Sequence, residues 1–172
     1  MTSVERICFR QNGMVLLISL LFLLVLSLAG LASMQGAVSQ QKIAGSLWHR
    51  NQSFQSAESG LEQGAWVIRK AGSALPLCQS ISTCAPPQES YSVISAGTHS
   101  VSAVTWVALA GGLYGVQSLG LADQPGGKPT ALYRVTAVGF MGQSRTVLEA
   151  VYAQANEGPG GRLRRVLWRQ LQ

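Results

Sequence analysis

Apolar residues dominate one uninterrupted stretch near the N terminus. Residues 14–34 contain 21 consecutive positions without a charged side chain, and about 20 apolar residues of helix are enough to cross the hydrocarbon core of a bilayer. Arg6 and Arg10 precede the stretch, and positive charge favours a leader that stays in the cytoplasm. The pattern therefore predicts a single membrane-spanning helix whose C-terminal side lies outside the cytoplasm. A cleaved secretory signal is the alternative, but its apolar region is normally only about 7–15 residues long.

A second periodicity follows the apolar stretch. No proline interrupts residues 38–70, and apolar residues recur there with a spacing of seven, at Leu47, Phe54, Leu61 and Ile68. This spacing predicts an amphipathic helix whose apolar stripe packs on the core of the following region. Each glycine in a helix interior weakens it by about 1 kcal/mol relative to alanine. Four such glycines predict a helix that can bend or partly unwind: Gly36, Gly45, Gly60 and Gly64.

Beyond residue 71 the pattern changes to short alternating segments separated by loops. Alternation with β-branched and aromatic residues predicts five strands, at 101–109, 113–119 (the weaker one), 131–138, 145–152 and 163–171. Gly139-Phe-Met-Gly142 between the third and fourth strands is a hairpin signal. Loops rich in proline, glycine or serine are predicted at 73–88, 123–129 and 156–161.

These elements predict an α+β fold in which one long N-terminal helix packs on a C-terminal antiparallel β-sheet. The predicted organisation is a leader (1–13), a membrane-spanning helix (14–34), an amphipathic helix (35–70) and a β-rich globular region (71–172). The whole chain carries a net charge of +6, which permits contact with anionic surfaces without requiring it.

Three cysteines are divided between the two sides of the predicted membrane segment. Cys8 lies in the leader, whereas Cys78 and Cys84 lie in the exported region with five residues between them. An oxidising compartment favours a disulfide between an even pair. The spacing is poor for zinc, and no histidine is near in sequence. The pair therefore predicts a disulfide that clamps a loop.

No group of residues has the pattern of a catalytic or cofactor site. His49 and His99 are isolated in sequence, and neither a Gly-x-Ser-x-Gly motif nor a phosphate-binding glycine loop is present. Glu58 and Glu62 are four residues apart on the predicted helix, a spacing that could imitate a catalytic carboxylate pair. We favour a solvated helix face, or contact with a neighbouring chain, for these two residues. The sequence argues against an enzyme and predicts no cofactor and no metal.

The segment Arg162-Leu-Arg-Arg-Val-Leu-Trp-Arg169 is a basic cluster with an aromatic residue inside it. Arg164, Arg165 and Trp168 are candidate contacts for a partner, and arginines beside a tryptophan also suit single-stranded nucleic acid. The alternative is an edge strand that protects itself with charge while it buries apolar residues. We favour the second interpretation, because four arginines make a small footprint for nucleic acid.

The N-terminal third resembles a type IV pilin precursor of the PilX minor-pilin type. Arg10-Gln-Asn-Gly13, followed by Met14 and an apolar helix, resembles a prepilin peptidase site. Similarity to PilX-type minor pilins extends through Met34-Gln-Gly, Gln41-Lys-Ile-Ala-Gly45 and Arg50-Asn-Gln-Ser-Phe-Gln-Ser-Ala-Glu58, with a closing Val166-Leu-Trp-Arg-Gln-Leu171. The resemblance implies the type IV pilin fold, cleavage between Gly13 and Met14, and methylation of the Met14 amine. It also implies an inner-membrane precursor with a periplasmic C-terminal region that later enters a pilus.

One position departs from the family. Most type IV pilins have a glutamate at the fifth residue of the mature chain, where this chain has Ile18. In the family that carboxylate pairs with the N-terminal amine of an adjacent subunit, which offsets the cost of a charge in an apolar environment. Ile18 therefore predicts a subunit that primes the pilus and lies at its tip. The partners that the resemblance implies are other minor pilins, the major pilin, prepilin peptidase and a large tip adhesin.

Two other functions fit the same local features. A K-type pseudopilin of a type II secretion system would also lack the acid, and an adhesive or DNA-contacting pilus subunit would use the basic C-terminal segment. Charge reversal at Arg164 and Arg165 separates the second of these from a purely structural subunit, because DNA binding would then be lost while piliation stays normal.

Overall fold

The computed structural model describes residues 14–123, 129–155 and 162–171. It contains one long helix, α1 (Met14–Ala71), followed by short helical turns and a β-sheet. The chain divides into two compact units, Met1–Gly45 and Ser46–Gln172. We refer to the second unit as the head.

In the first unit, all described side chains of the helix are exposed. The most apolar window of α1 has a mean hydropathy of 2.9, and none of it is buried. Ser19 and Ser27 donate their hydroxyl hydrogens to the carbonyls of Leu16 and Leu23, at 2.8 and 2.7 Å, so the two polar groups in this stretch are satisfied by the helix backbone. By length and composition, this helix can cross a membrane.

The described residues of the head form the rest of α1, a one-turn helix α2 (Ile81–Cys84), two 3-10 turns (Gly72–Ala74 and Gln88–Tyr91) and six strands. The strands are β1 (Gly97–Thr98), β2 (Thr105–Leu109), β3 (Gly112–Ala122), β4 (Thr130–Met141), β5 (Ser144–Ala155) and β6 (Leu163–Gln170). They form a single sheet in the order β1-β2-β3-β4-β5-β6, and every neighbouring pair is antiparallel. A helix followed by this sheet is the predicted α+β layout, which is confirmed.

The helix packs on one face of the sheet, which we call the helix face. Leu61 and Ile68 are buried there with the aliphatic and aromatic side chains of β4 and β5, and Phe54 is partly buried beside them. Leu47 of the predicted stripe is 56% exposed, and it lines a pocket with Ser144, Arg145 and Thr146 at the start of β5. It therefore lies at the margin of the contact between helix and sheet, near the β4–β5 turn.

Two of the four helix glycines mark close approach of α1 to the sheet. A Cβ on Gly60 would lie 2.8 Å from the Ala137 Cβ, and one on Gly64 would overlap the Val135 side chain. Gly36 and Gly45 have nothing within 4 Å of that position. All four lie inside the single helix α1, and two of them allow tight packing on the sheet.

The opposite face, which we call the back face, carries a second core and is crossed by residues 83–104. Val104, Trp106, Leu113, Val138 and Val147 are buried there. The strand predicted to begin at Val101 begins at Thr105, because the Ala103 amide bonds to the His99 carbonyl in a turn where Ala103 has a φ of 54°. The segment predicted as the weaker strand lies within β3, which is 11 residues long and pairs on both sides.

Candidate assembly surfaces

The start of α1 presents an apolar surface with no acidic group. Met14 and Ile18 are 71% and 47% exposed, and the first turn of the helix contains no acidic residue. The first carboxylate after Met14 is that of Glu58, which is exposed on α1 within the head. Gly13, the other half of the predicted processing site, lies outside the described residues.

A charged cluster lies at the centre of the back face. Glu149 of β5 has no exposed surface, yet it faces two arginines. Arg169 of β6 is opposite in the strand register and approaches to 2.8 Å, and Arg134 of β4 lies 3.5 Å away. Burial lowers the pKa of Arg134 below its usual value. The Glu149 charge opposes this shift, and the Arg169 charge adds to it. The carboxylate is therefore held between two guanidinium groups across three strands.

Polar side chains of the sheet hold the covering segment in place. Arg134 donates to the Cys84 carbonyl, and the Gln117 amide donates to the carbonyls of Thr83 and Ala85 at 2.6 and 3.1 Å. Each of these carbonyls belongs to α2 or to the residue that follows it. A loop that accepts hydrogen bonds from buried donors covers them without leaving them unsatisfied.

The disulfide closes the same segment. Cys78 and Cys84 are bonded, with Cα atoms 5.2 Å apart, as predicted from their compartment and spacing. The Cys78 amide donates to the Ser118 carbonyl of β3 at 3.0 Å, and Ser80 caps α2 through a reciprocal bond with Thr83. The disulfide therefore links Cys78, which is bonded to β3, to α2, whose carbonyls accept hydrogen bonds from Arg134 and Gln117.

Replacing both cysteines by serine is expected to lower the free energy of unfolding of the head by about 2 kcal/mol, the loop-closure contribution of so short a loop. The measurement is urea unfolding of the full-length chain in detergent micelles, followed by tryptophan fluorescence. Wild-type protein kept reduced with dithiothreitol serves as the control and should unfold at the same urea concentration as the double variant. Unfolding of both at the oxidised wild-type midpoint would contradict the clamp.

The last strand places the predicted contact residues on two faces of the sheet edge. Trp168 is on the helix face, where its ring meets Phe54 edge-on at a centroid distance of 6.4 Å. Arg165 is opposite Tyr152 in the register; burial raises the pKa of Tyr152, and the Arg165 charge partly opposes this rise. Arg164 is opposite Ala153 in the register and exposed. Of the four arginines, Arg169 is engaged with Glu149 inside the head, which weakens the nucleic-acid interpretation.

An open groove of 760 Å³ lies between α1 and β6 on the helix face. It is lined by Glu62, Gln63, Ala65, Trp66, Arg69, Tyr152, Leu163 and Arg165. The sequence pattern did not single out Trp66 or Arg69. In the structure the Trp66 indole is 50% exposed, and the Lys70 ammonium lies 4.3 Å from the centroid of its ring. Among the described residues, no group of three histidine, cysteine, aspartate or glutamate side chains is placed to hold a metal.

The predicted site residues therefore do not form one site. Ile18 and Met14 are on the first unit, the disulfide covers the back face, and Arg165 and Trp168 lie at the sheet edge. Glu58 does not line the groove that Glu62 lines.

Residues 12–62 match the family model described as PilX N-terminal. The chain thus carries a PilX-type type IV pilin N-terminal signature, and the resemblance noted in the sequence is confirmed over this part. No curated protein and no solved structure matches the chain.

Proposed function

We propose, from the PilX-type signature of residues 12–62, that this chain is a minor pilin that primes type IV pilus assembly and lies at or near the pilus tip. The signature supports a type IV pilus minor pilin in general. An apolar N-terminal helix with that signature fits a membrane-anchored pilus subunit. PilX-like pilins are structural subunits, and in the proposed role the chain assembles with others and catalyses no reaction.

The observation that carries the proposal is the apolar residue at position 18. A buried amine at the start of one helix is costly unless an opposite charge offsets it. A subunit that has Ile18 has no carboxylate to offer the Met14-equivalent amine of a subunit already in place. Its own amine remains available to a carboxylate on the next subunit. Because it has the amine but not the carboxylate, the subunit can begin a filament, but it gains no ion pair when it joins one that already exists.

Ile18→Glu is expected to move the subunit from the tip into the shaft. The added carboxylate supplies the missing ion pair, so the number of copies per pilus should rise several-fold above wild type. The measurement is immunogold labelling of sheared pili with an epitope at an exposed head position, together with the ratio of this subunit to the major pilin by quantitative mass spectrometry.

Ile18→Gln is the matched control, since it has nearly the same shape as glutamate without the charge. It should leave the label at the tip. The mature N terminus of each variant is read in the same samples and should begin at a methylated Met14. An intact leader, or a start at Ser33, would remove the pilin pathway itself. Equal tip labelling of the glutamate and glutamine variants would show that the missing charge does not place the subunit.

A subunit in this role contacts several kinds of partner. Pilin subunits of this kind associate with other pilus components, and we assign the neighbours as other minor pilins and the major pilin, with a large adhesin at the tip. Prepilin peptidase acts earlier, at the Gly13–Met14 bond. The apolar residues 14–34 would leave the inner membrane to pack in the filament.

A further inference from the structure

The outer edge of β6 is open within the described part of the chain. β6 ends the strand order and pairs only with β5. At its end, the Leu171 amide donates to the Val147 carbonyl at 2.8 Å. Because successive residues of an antiparallel strand direct their amides alternately towards and away from the partner strand, the Arg169 amide points towards β5 and the Trp168 amide points outwards. The edge therefore offers backbone hydrogen-bonding groups to another strand.

The side chains along this edge are apolar in the middle and basic around it. Val166, Leu167 and Trp168 are 46%, 45% and 41% exposed. Arg162 and Arg164 precede them, both exposed, and β6 contains no acidic residue. An exposed edge of this kind is a template for pairing with another chain, and natural proteins usually block it with charge, proline or a bulge. Here β6 has arginines and a bulge at Val166, yet Val166 and Leu167 stay uncovered and Trp168 is covered by Phe54 on one side only.

The charge pattern selects what can pair with the edge. A second copy of this chain would bring its own arginines close to Arg164 and Arg165 in an antiparallel β6–β6 pair, and like charges on paired strands are destabilising. An extended segment with carboxylates around apolar residues would meet both features of the edge. Charge therefore disfavours self-pairing and favours a different, acidic partner.

We propose that β6 accepts an extended acidic and apolar segment of another protein by β-strand addition, which continues the sheet beyond its sixth strand. Main-chain bonds to the outward groups of Trp168 would provide affinity, and the arginines would provide specificity. The pairing does not depend on where in the pilus the subunit lies, so it can fail or hold separately from the tip assignment.

The probe is a capped nine-residue peptide of alternating valine and glutamate, labelled for fluorescence anisotropy and added to the full-length chain in detergent micelles. We expect saturable binding that weakens with salt. A peptide with lysine in place of glutamate and a peptide with N-methylated backbone amides should both fail to bind. Failure of the valine–glutamate peptide to bind, or equal binding of the N-methylated one, would overturn the proposal.

Trp168→Pro tests the backbone contact, with Trp168→Ala as its matched control. Both remove the indole, but only proline removes the outward amide, and proline is tolerated where the amide is not used by the sheet. The proline variant should bind the peptide roughly tenfold more weakly than the alanine variant, as expected for one lost hydrogen bond. Equal affinities would place the peptide elsewhere.

Hydrogen exchange locates the bound peptide without relying on a variant. The Trp168 amide should exchange more slowly when the peptide is bound, and the Arg169 amide, which already points to β5, should not change. Reversal of charge at Arg162 and Arg164 should transfer preference from the glutamate to the lysine peptide. A wild-type dimer in sedimentation that the proline variant abolishes would mean that a second copy is the partner, which contradicts the proposal.

Discussion

Gly139→Ala is expected to lower the free energy of unfolding of the head by about 3 kcal/mol or more, at the upper end of the cost of overpacking. A Cβ at this position of β4 would overlap the backbone of α1, at the Ser53 carbonyl oxygen and the Ala57 amide. Backbone atoms cannot rotate away as a side chain can, so the helix must lift from the sheet. Urea unfolding of the full-length chain in micelles, followed by tryptophan fluorescence, measures the change.

Gly45→Ala is the matched control for this substitution. It makes the same chemical change inside α1, but nothing lies within 4 Å of the new methyl group. Because alanine is the better helix former, the control should be neutral or stabilising by up to about 1 kcal/mol. A Gly139→Ala variant as stable as the Gly45→Ala variant would mean that the helix and the sheet are not in close contact at Ser53. That result would also contradict the buried hydrogen bond of 2.8 Å between the Ser53 and Thr146 hydroxyls, which requires the same close contact.

The second large effect is expected at the buried carboxylate. Glu149→Gln keeps the shape of the side chain but leaves Arg134 and Arg169 without their counter-charge on the back face. Removal of one partner from a buried ion pair costs about 3–5 kcal/mol, because the remaining charge is desolvated and uncompensated. The free energy of unfolding should fall by that amount in the same urea experiment.

Glu58→Gln removes an equivalent charge from an exposed position of α1 and should change stability by less than about 0.5 kcal/mol. Comparison of the two glutamine variants isolates burial from net charge. In the Glu149→Gln variant, backbone amides around Cys84 should also exchange hydrogen faster. The reason is that the Arg134 guanidinium both faces Glu149 and donates to the Cys84 carbonyl. A Glu149→Gln effect no larger than that of Glu58→Gln would contradict the arrangement of charges on the back face.

The burial of Glu149 also shows what alternation in the sequence can and cannot predict. Alternation along residues 145–152 correctly predicted a strand, and it placed Glu149 and Leu148 on opposite faces. Alternation cannot tell whether the face away from the helix meets water or another part of the chain. In this head, residues 83–104 cross that face, so a residue that would normally mark the solvent side is fully buried.

The helix shows the same limit in the other direction. The spacing of seven identified Leu61 and Ile68, both of which are buried, because the sheet lies under that part of α1. It also included Leu47, which is 56% exposed at the margin of the sheet, because the position of the β4–β5 turn is not encoded in the helix. The disulfide needed only compartment and spacing, so it was predictable. The hydrogen bonds that α2 receives depend on three distant segments and were not.

The order of the sheet has a consequence for how the chain matures. Each strand pairs with its neighbour in sequence, so the sheet can grow hairpin by hairpin through local contacts. The tight contacts of the helix are different, because Gly64 meets Val135 and the Ser53 backbone meets Gly139. These partners are 71 and 86 residues apart in the sequence, which corresponds to about 4–17 s of synthesis at 5–20 residues per second. During that interval the apolar stripe of α1 has no sheet to cover it, so the incomplete chain exposes apolar surface that the finished head buries.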